Sequence, residues 1–188
     1  MSTNLHIVAL CGSLRKESYN LYLLQAAQQL LPEEVSMEIV SIADLPLYNQ
    51  DLDLPAAQER PEAVTAFRDK LAKAEGFLIA SPEYNYSIPG GLKNAIDWAS
   101  RGKDSPLLKK PVALIGATIS LWGTVRMQLA FEPIFLTMNM AVVQQPEVLV
   151  AEASKKIAKD GTVTDETTRS LLQQKLVNLK QMILLQKK

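Results

Sequence analysis

Apolar positions along this chain follow two alternating rhythms. Residues 5–10, 76–80 and 111–115 are nearly continuously apolar, and the stretches between them carry apolar residues three or four apart. A short continuous run suits a strand buried on both faces of a parallel sheet, whereas the wider spacing suits one face of a helix. Leu21, Leu24, Ala27 and Leu31 form the first such helical face, which Pro32 closes. Residues 35–40 alternate apolar with polar, as a strand with one partly exposed face does. Val64, Phe67, Leu71 and Ala74 mark a second helix, and residues 92–100 a third. A fourth carries Arg126 and Met127, with Pro133 expected to kink or split it. Residues 141–143 and 148–150 frame a fifth strand, interrupted at Gln144-Gln145-Pro146. Leu172, Leu176, Leu179 and Ile183 stripe a long terminal helix, with Thr164 or Asp165 as its N-cap.

Strand and helix therefore alternate throughout. That order predicts an α/β fold: a five-stranded parallel sheet with helices on both faces, a three-layer sandwich. No repeat, low-complexity tract or linker divides it, so residues 1–188 are expected to be a single domain.

Composition narrows the chemistry. Twenty basic residues balance 20 acidic ones, and no basic run precedes the Lys187-Lys188 end, which argues against nucleic acid as partner. One cysteine, Cys11, allows no internal disulfide and no cysteine-based zinc cluster. It reads as a small packed hydrophobe, and His6 as a strand residue with a satisfied ring. No apolar run reaches transmembrane length and no signal-peptide pattern opens the chain, so the expected location is cytoplasmic, away from membranes.

In a parallel sheet of this kind, ligands bind beyond the carboxyl ends of the strands. Three loops there are rich in Gly, hydroxyl, amide or aromatic groups. Residues 12–20 hold Gly12, Ser13, Arg15, Ser18 and Asn20 directly before a helix. Unpaired N–H groups at a helix N-terminus favour an anion, and hydroxyls with a guanidinium would complete a phosphate cradle. The same residues also suit a plain N-cap loop. Residues 81–91 read Ser-Pro-Glu-Tyr-Asn-Tyr-Ser-Ile-Pro-Gly-Gly, in which Tyr84 and Tyr86 would flank a planar ring and Asn85 would address its polar edge. Lys93, Asn94 and Asp97 read as the solvated face of the helix that follows. The third loop, residues 116–126, adds hydroxyls and Trp122, which suits core or interface packing as well as ligand stacking. Residues 44–61 form a long Pro- and Asp-rich surface loop.

Two motifs carry a resemblance: Gly12-Ser13-Leu14-Arg15-Lys16-x-Ser18-x-Asn20, and residues 82–98 from Pro82-Glu83-Tyr84-Asn85-Tyr86 to Asp97-Trp98. Together they closely resemble the NADPH-dependent FMN reductase family, which includes quinone, chromate and azo-dye reductases of flavodoxin-like fold. The similarity extends over nearly the whole chain up to the C-terminal helix. The resemblance implies FMN as cofactor and NADPH, with NADH admissible, as hydride donor to a small-molecule acceptor: a quinone, free flavin, an azo compound or a chromate-like oxyanion. It places the FMN phosphate on Ser13, Arg15, Ser18 and Asn20. It places the isoalloxazine along Pro82, Glu83, Tyr84, Asn85 and Tyr86, with Thr118 keeping a hydroxyl near the flavin. Ser120 and Thr124 stand where the family usually has glycine, and Trp122 is bulkier than the usual occupant. Arg126 and Glu147 match family residues that support subunit contacts in relatives, and also read as a surface charge pair. Relatives assemble as homodimers or homotetramers. A flavodoxin-type electron carrier, reduced by a protein partner, is the competing reading; a phosphoacceptor receiver or P-loop nucleotidase lacks its required residues.

Overall fold

The structure, a computed structural model, describes residues 4–187; residues 1–3 and Lys188 of the basic end lie outside the described residues. The strands are β1 (Leu5–Cys11), β2 (Val35–Val40), β3 (Gly76–Ala80), β4 (Pro111–Ala117), β5 (Ala141–Val143) and β6 (Leu149–Val150). All pairings are parallel and the order is β2-β1-β3-β4-β5, with β6 continuing along β4 beyond the end of β5. This is the flavodoxin-like order, and it reverses direction between β1 and β3. The helices are α1 (Tyr19–Gln29), α2 (Glu62–Ala72), α3 (Gly90–Ala99), α4 (Val125–Thr137), α5 (Ala153–Lys156) and α6 (Glu166–Gln186). α1 and α6 bury Leu23, Leu24, Leu172, Leu176 and Leu179 against one face of the sheet. α2, α3 and α4 bury Phe67, Leu71, Leu92, Ile96 and Phe131 against the other. Among the described residues no helix is long and apolar enough to cross a membrane.

The expected fifth strand is present as two pieces, β5 and β6, on either side of Gln144-Gln145-Pro146. Proline has no N–H to give a ladder, so the pairing stops and resumes beyond it. The end of β5 is fastened from α6 by Lys175, which is 2 % exposed and donates through Nζ to Val143 O at 2.6 Å and Gln144 O at 3.0 Å. Burial pushes its ammonium down to about 8. α4 runs through Pro133 as one helix rather than splitting there. Asp165 is the N-cap of α6, accepting Thr168 N–H at 2.8 Å. His6 Nδ1 meets Ser36 Oγ at 3.2 Å, and Cys11 is buried at the end of β1, its thiol pushed up by that burial.

Candidate active site

Loops after β1, β3 and β4 emerge from the same end of the sheet. They are drawn together by backbone bonds: Gly12 N–H donates to Ala80 O at 2.8 Å and Ser81 N–H to Ile115 O at 3.2 Å. Gly12 permits the closeness, since a Cβ there would sit 2.3 Å from Ser81 Oγ. Any side chain would push the first two loops apart at the point where strand order reverses.

In the first loop Ser18 is the N-cap of α1, its Oγ accepting Asn20 N–H at 3.3 Å. Ser13 Oγ accepts Arg15 N–H at 3.3 Å. The Ser13 hydroxyl keeps its own proton to donate, the Ser18 hydroxyl also meets the Cys11 thiol, and the Arg15 side chain is exposed beside them with no acceptor among the described residues. That donor set, at a helix N-terminus, fits a phosphate. Asn20 is turned the other way. It is 2 % exposed, its Oδ1 accepts Ala117 N–H at 2.9 Å and its Nδ2 donates to Ala117 O at 3.0 Å. Its side chain thus ties α1 to the end of β4.

The second loop turns at Tyr84–Ser87, which exchange both backbone bonds at 3.1 and 2.9 Å. Asn85 (φ 49°) and Tyr86 (φ 63°) both adopt the left-handed conformation, uncommon for residues other than glycine. Paired left-handed residues make the tight reversal that holds Tyr84, Asn85 and Tyr86 out in solvent. Strain of this kind persists where surrounding structure enforces it, and ligand sites are a common setting. Pro82 is half-buried at the start of the loop.

Glu83 faces inward, with a side chain 6 % exposed. Its Oε2 accepts Arg126 N–H at 3.0 Å and Met127 N–H at 3.2 Å, and its Oε1 accepts Arg126 Nε at 2.6 Å. It therefore caps α4, whose own N-cap residue, Thr124, makes no side-chain cap bond. Arg126 does not pair with Glu147, which is exposed; its guanidinium lies 3.8 Å from the centre of the Tyr86 ring and 6.0 Å from that of Trp122. Trp122 is 68 % exposed, so it does not belong to the core. Thr118 is half-buried, its Oγ1 3.3 Å from Ser120 Oγ.

Ser13, Arg15 and Ser18 thus lie on the loop after β1, Tyr84, Asn85 and Tyr86 on the loop after β3 and Thr118 on the loop after β4, all beyond the same end of the sheet. Asn20 and Glu83 join the loops from within. Asn94, expected on a solvated helix face, instead fastens the long 44–61 loop: it donates to Pro46 O at 2.9 Å and accepts Tyr48 N–H at 2.7 Å. Trp98, one turn on, donates to the same Pro46 O at 2.7 Å. An amide and an indole four residues apart on α3 are the sequence signal for that clamp. Lys93 and Asp97 do pair at the surface, at 2.6 Å.

A flavodoxin-like sheet with a phosphate-suited loop at its switch point and an aromatic turn beside it defines a flavin-dependent oxidoreductase. The sequence pattern of the NADPH-dependent FMN reductase family matches residues 5–155, and the chain belongs to that family. It is 39% identical over 176 residues to an NAD(P)H-dependent FMN reductase of Pseudomonas aeruginosa, covering 94% of each chain. It is 38% identical over 170 residues to a 2-hydroxy-1,4-benzoquinone reductase of a Burkholderia species, covering 90% of this chain and 91% of the relative. The solved structure of FerB, a flavoenzyme NAD(P)H:(acceptor) oxidoreductase of Paracoccus denitrificans, superposes with a TM-score of 0.84 at 33% identity, covering 95% of this chain and 97% of that one. The chain is accordingly an FMN- and NAD(P)H-dependent oxidoreductase rather than a passive electron carrier.

Proposed function

We propose that residues 1–188 act as a single reductase domain that passes electrons from NAD(P)H through FMN to planar aromatic acceptors, quinones first. Bound FMN would supply the hydride chemistry. Ser13, Arg15 and Ser18 would hold its phosphate by charge-assisted hydrogen bonds, with Asn20 fixing the loop that carries them. The left-handed turn at Tyr84, Asn85 and Tyr86, entered through Pro82 and anchored by Glu83, would lie along the ring system, with Thr118 behind it. The observation that carries the acceptor class is the exposed pair of rings, Tyr86 and Trp122, on either side of the Arg126 guanidinium. Chromate, with no planar ring, would gain nothing from that surface, whereas an aryl azo compound would stack on it as a quinone does. The relatives' names, one of them a benzoquinone reductase, support quinones.

The working unit is a homodimer or homotetramer: Leu129 and Leu136, two turns apart on α4, are both exposed large apolar residues. A free buried cysteine suits the cytoplasm. The test is the visible spectrum of the purified protein before and after anaerobic NADPH. Flavin bands that bleach, then return on adding 1,4-benzoquinone, are the expected outcome. A colourless protein that fails to take up added FMN overturns the reading of all three loops.

A further inference from the structure

Beside the first loop lies a second groove, of about 590 Å³. Arg15, Glu17, Tyr19 and Tyr22 form one wall, and Ser154 and Lys159 belong to the other. The second wall is a tight hairpin in which Ile157 and Val163 pair antiparallel and Gly161 N–H donates to Ala158 O at 3.0 Å. Gly161, at φ +90°, lies so close to Tyr22 that a Cβ there would sit 2.6 Å from the ring. The Tyr22 ring is thereby held against backbone on one side.

Among the described residues, neither the Arg15 guanidinium nor the Lys159 ammonium has a hydrogen-bond or ion-pair partner, whereas neighbouring Lys155 is engaged by Glu152. Two free cations, a carboxylate and two phenol rings in one groove match the parts of a nucleotide. Cations meet a phosphate, a carboxylate accepts from ribose hydroxyls, and aromatic faces stack a base. The volume lies within the ~300–1,000 Å³ usual for small-molecule sites. Arg15 belongs both to this groove and to the loop assigned to the FMN phosphate, so the two are continuous.

We infer that the groove receives the adenylate half of flavin adenine dinucleotide, so that FAD as well as FMN occupies the site. The flavin-side phosphate rests on the first loop, the second phosphate lies between Arg15 and Lys159, and the adenine meets Tyr19 and Tyr22. This rests on the proposed role of the first loop. NADPH carries the same chemistry in its phosphoadenosine end, and continuity with the flavin phosphate favours FAD.

The experiment is a fluorescence titration of the full chain, freed of flavin, with FMN and with FAD, in the parent protein and in Lys159→Gln. FAD is expected to bind at least as tightly as FMN. Lys159→Gln should weaken FAD by about 5- to 10-fold, the loss of one charge-assisted contact, and leave FMN within about twofold. FAD binding more than about 100-fold weaker than FMN would mean a closed phosphate site and overturn the inference. A variant with unchanged FAD affinity but a raised KM for NADPH, and not for NADH, would assign the groove to the phosphoadenosine end and overturn it as well. Failure to bind FMN at all would instead remove the flavin site on which the inference stands, a result distinct from selective failure with FAD.

Discussion

Two sides of the candidate site hold neighbouring loops together by opposite means. At the first loop, Asn20 joins α1 to β4 through two neutral hydrogen bonds to Ala117, entirely out of solvent. At the second, Glu83 joins the tyrosine turn to α4 through a carboxylate, and its partner Arg126 is one-third exposed between two solvent-facing rings. A doubly bonded buried amide has one geometry, because any shift strands a backbone donor and acceptor away from water. An ion pair at a half-open edge is softer, screened by salt and tolerant of small displacements. The first arrangement suits a fixed anchor for a phosphate, the second an entrance through which ligands of different shape must pass.

Breaking the anchor carries the largest expected effect. Asn20→Leu keeps the side-chain size but leaves Ala117 N–H and C=O unpaired in the interior. Each stranded group costs about 1–3 kcal/mol, so the variant should lose roughly 3 kcal/mol. For a domain of this size that lowers Tm by roughly 6–12 °C, readable by calorimetry. Flavin retention should fall with it, because α1 and the first loop lose their tie to β4. An unchanged Tm would mean that water reaches Ala117 and that the contrast between the two sides is false.

Breaking the second side should cost less and depend on salt. Glu83→Gln keeps one acceptor for the α4 N–H groups but removes the charge facing Arg126. The expected loss is about 1–2 kcal/mol in urea denaturation at low ionic strength. The gap to the parent protein should narrow as salt is raised, since Arg126 is partly exposed and its attraction is screened. A loss as large as that of Asn20→Leu and independent of salt would make both sides rigid anchors.

These contrasts also show which features the amino-acid order conveys. β1, β3 and β4 are legible because a strand buried on both faces must be apolar at nearly every position. The loops at their ends stand out because Gly, hydroxyl and aromatic residues interrupt that monotony. The ties between loops leave no such trace. Glu83 and Arg126 lie 43 residues apart, and Asn20 and Ala117 lie 97 apart, so no local period links them. Asn20 follows a Ser N-cap and reads as one more cap residue or phosphate ligand; only the crossover of α1 onto β4 turns it inward. α5 is four residues long, too short for a helical period to register. Trp122 gives no sequence signal of its exposure, because an indole in a loop serves core, interface or ligand equally well.

The smallest expected effect on stability, and the most informative about the entrance, comes from Trp122→Ala. The side chain is 68 % exposed and lies 6.0 Å from the Arg126 guanidinium. Its removal should change stability by no more than about 0.5 kcal/mol. If the ring stacks on the acceptor, its loss should raise KM for a benzoquinone by about 3- to 5-fold, with kcat within about twofold, since stacking holds the bound acceptor without entering the hydride step. Chromate, with no planar ring, should show no change in KM. An equal shift for both acceptors would mean that Trp122 shapes the mouth rather than binding a ring. A fall in oligomer size with KM unaltered would instead place the indole against a second copy of the chain, leaving Tyr86 and Arg126 as the whole of the acceptor surface.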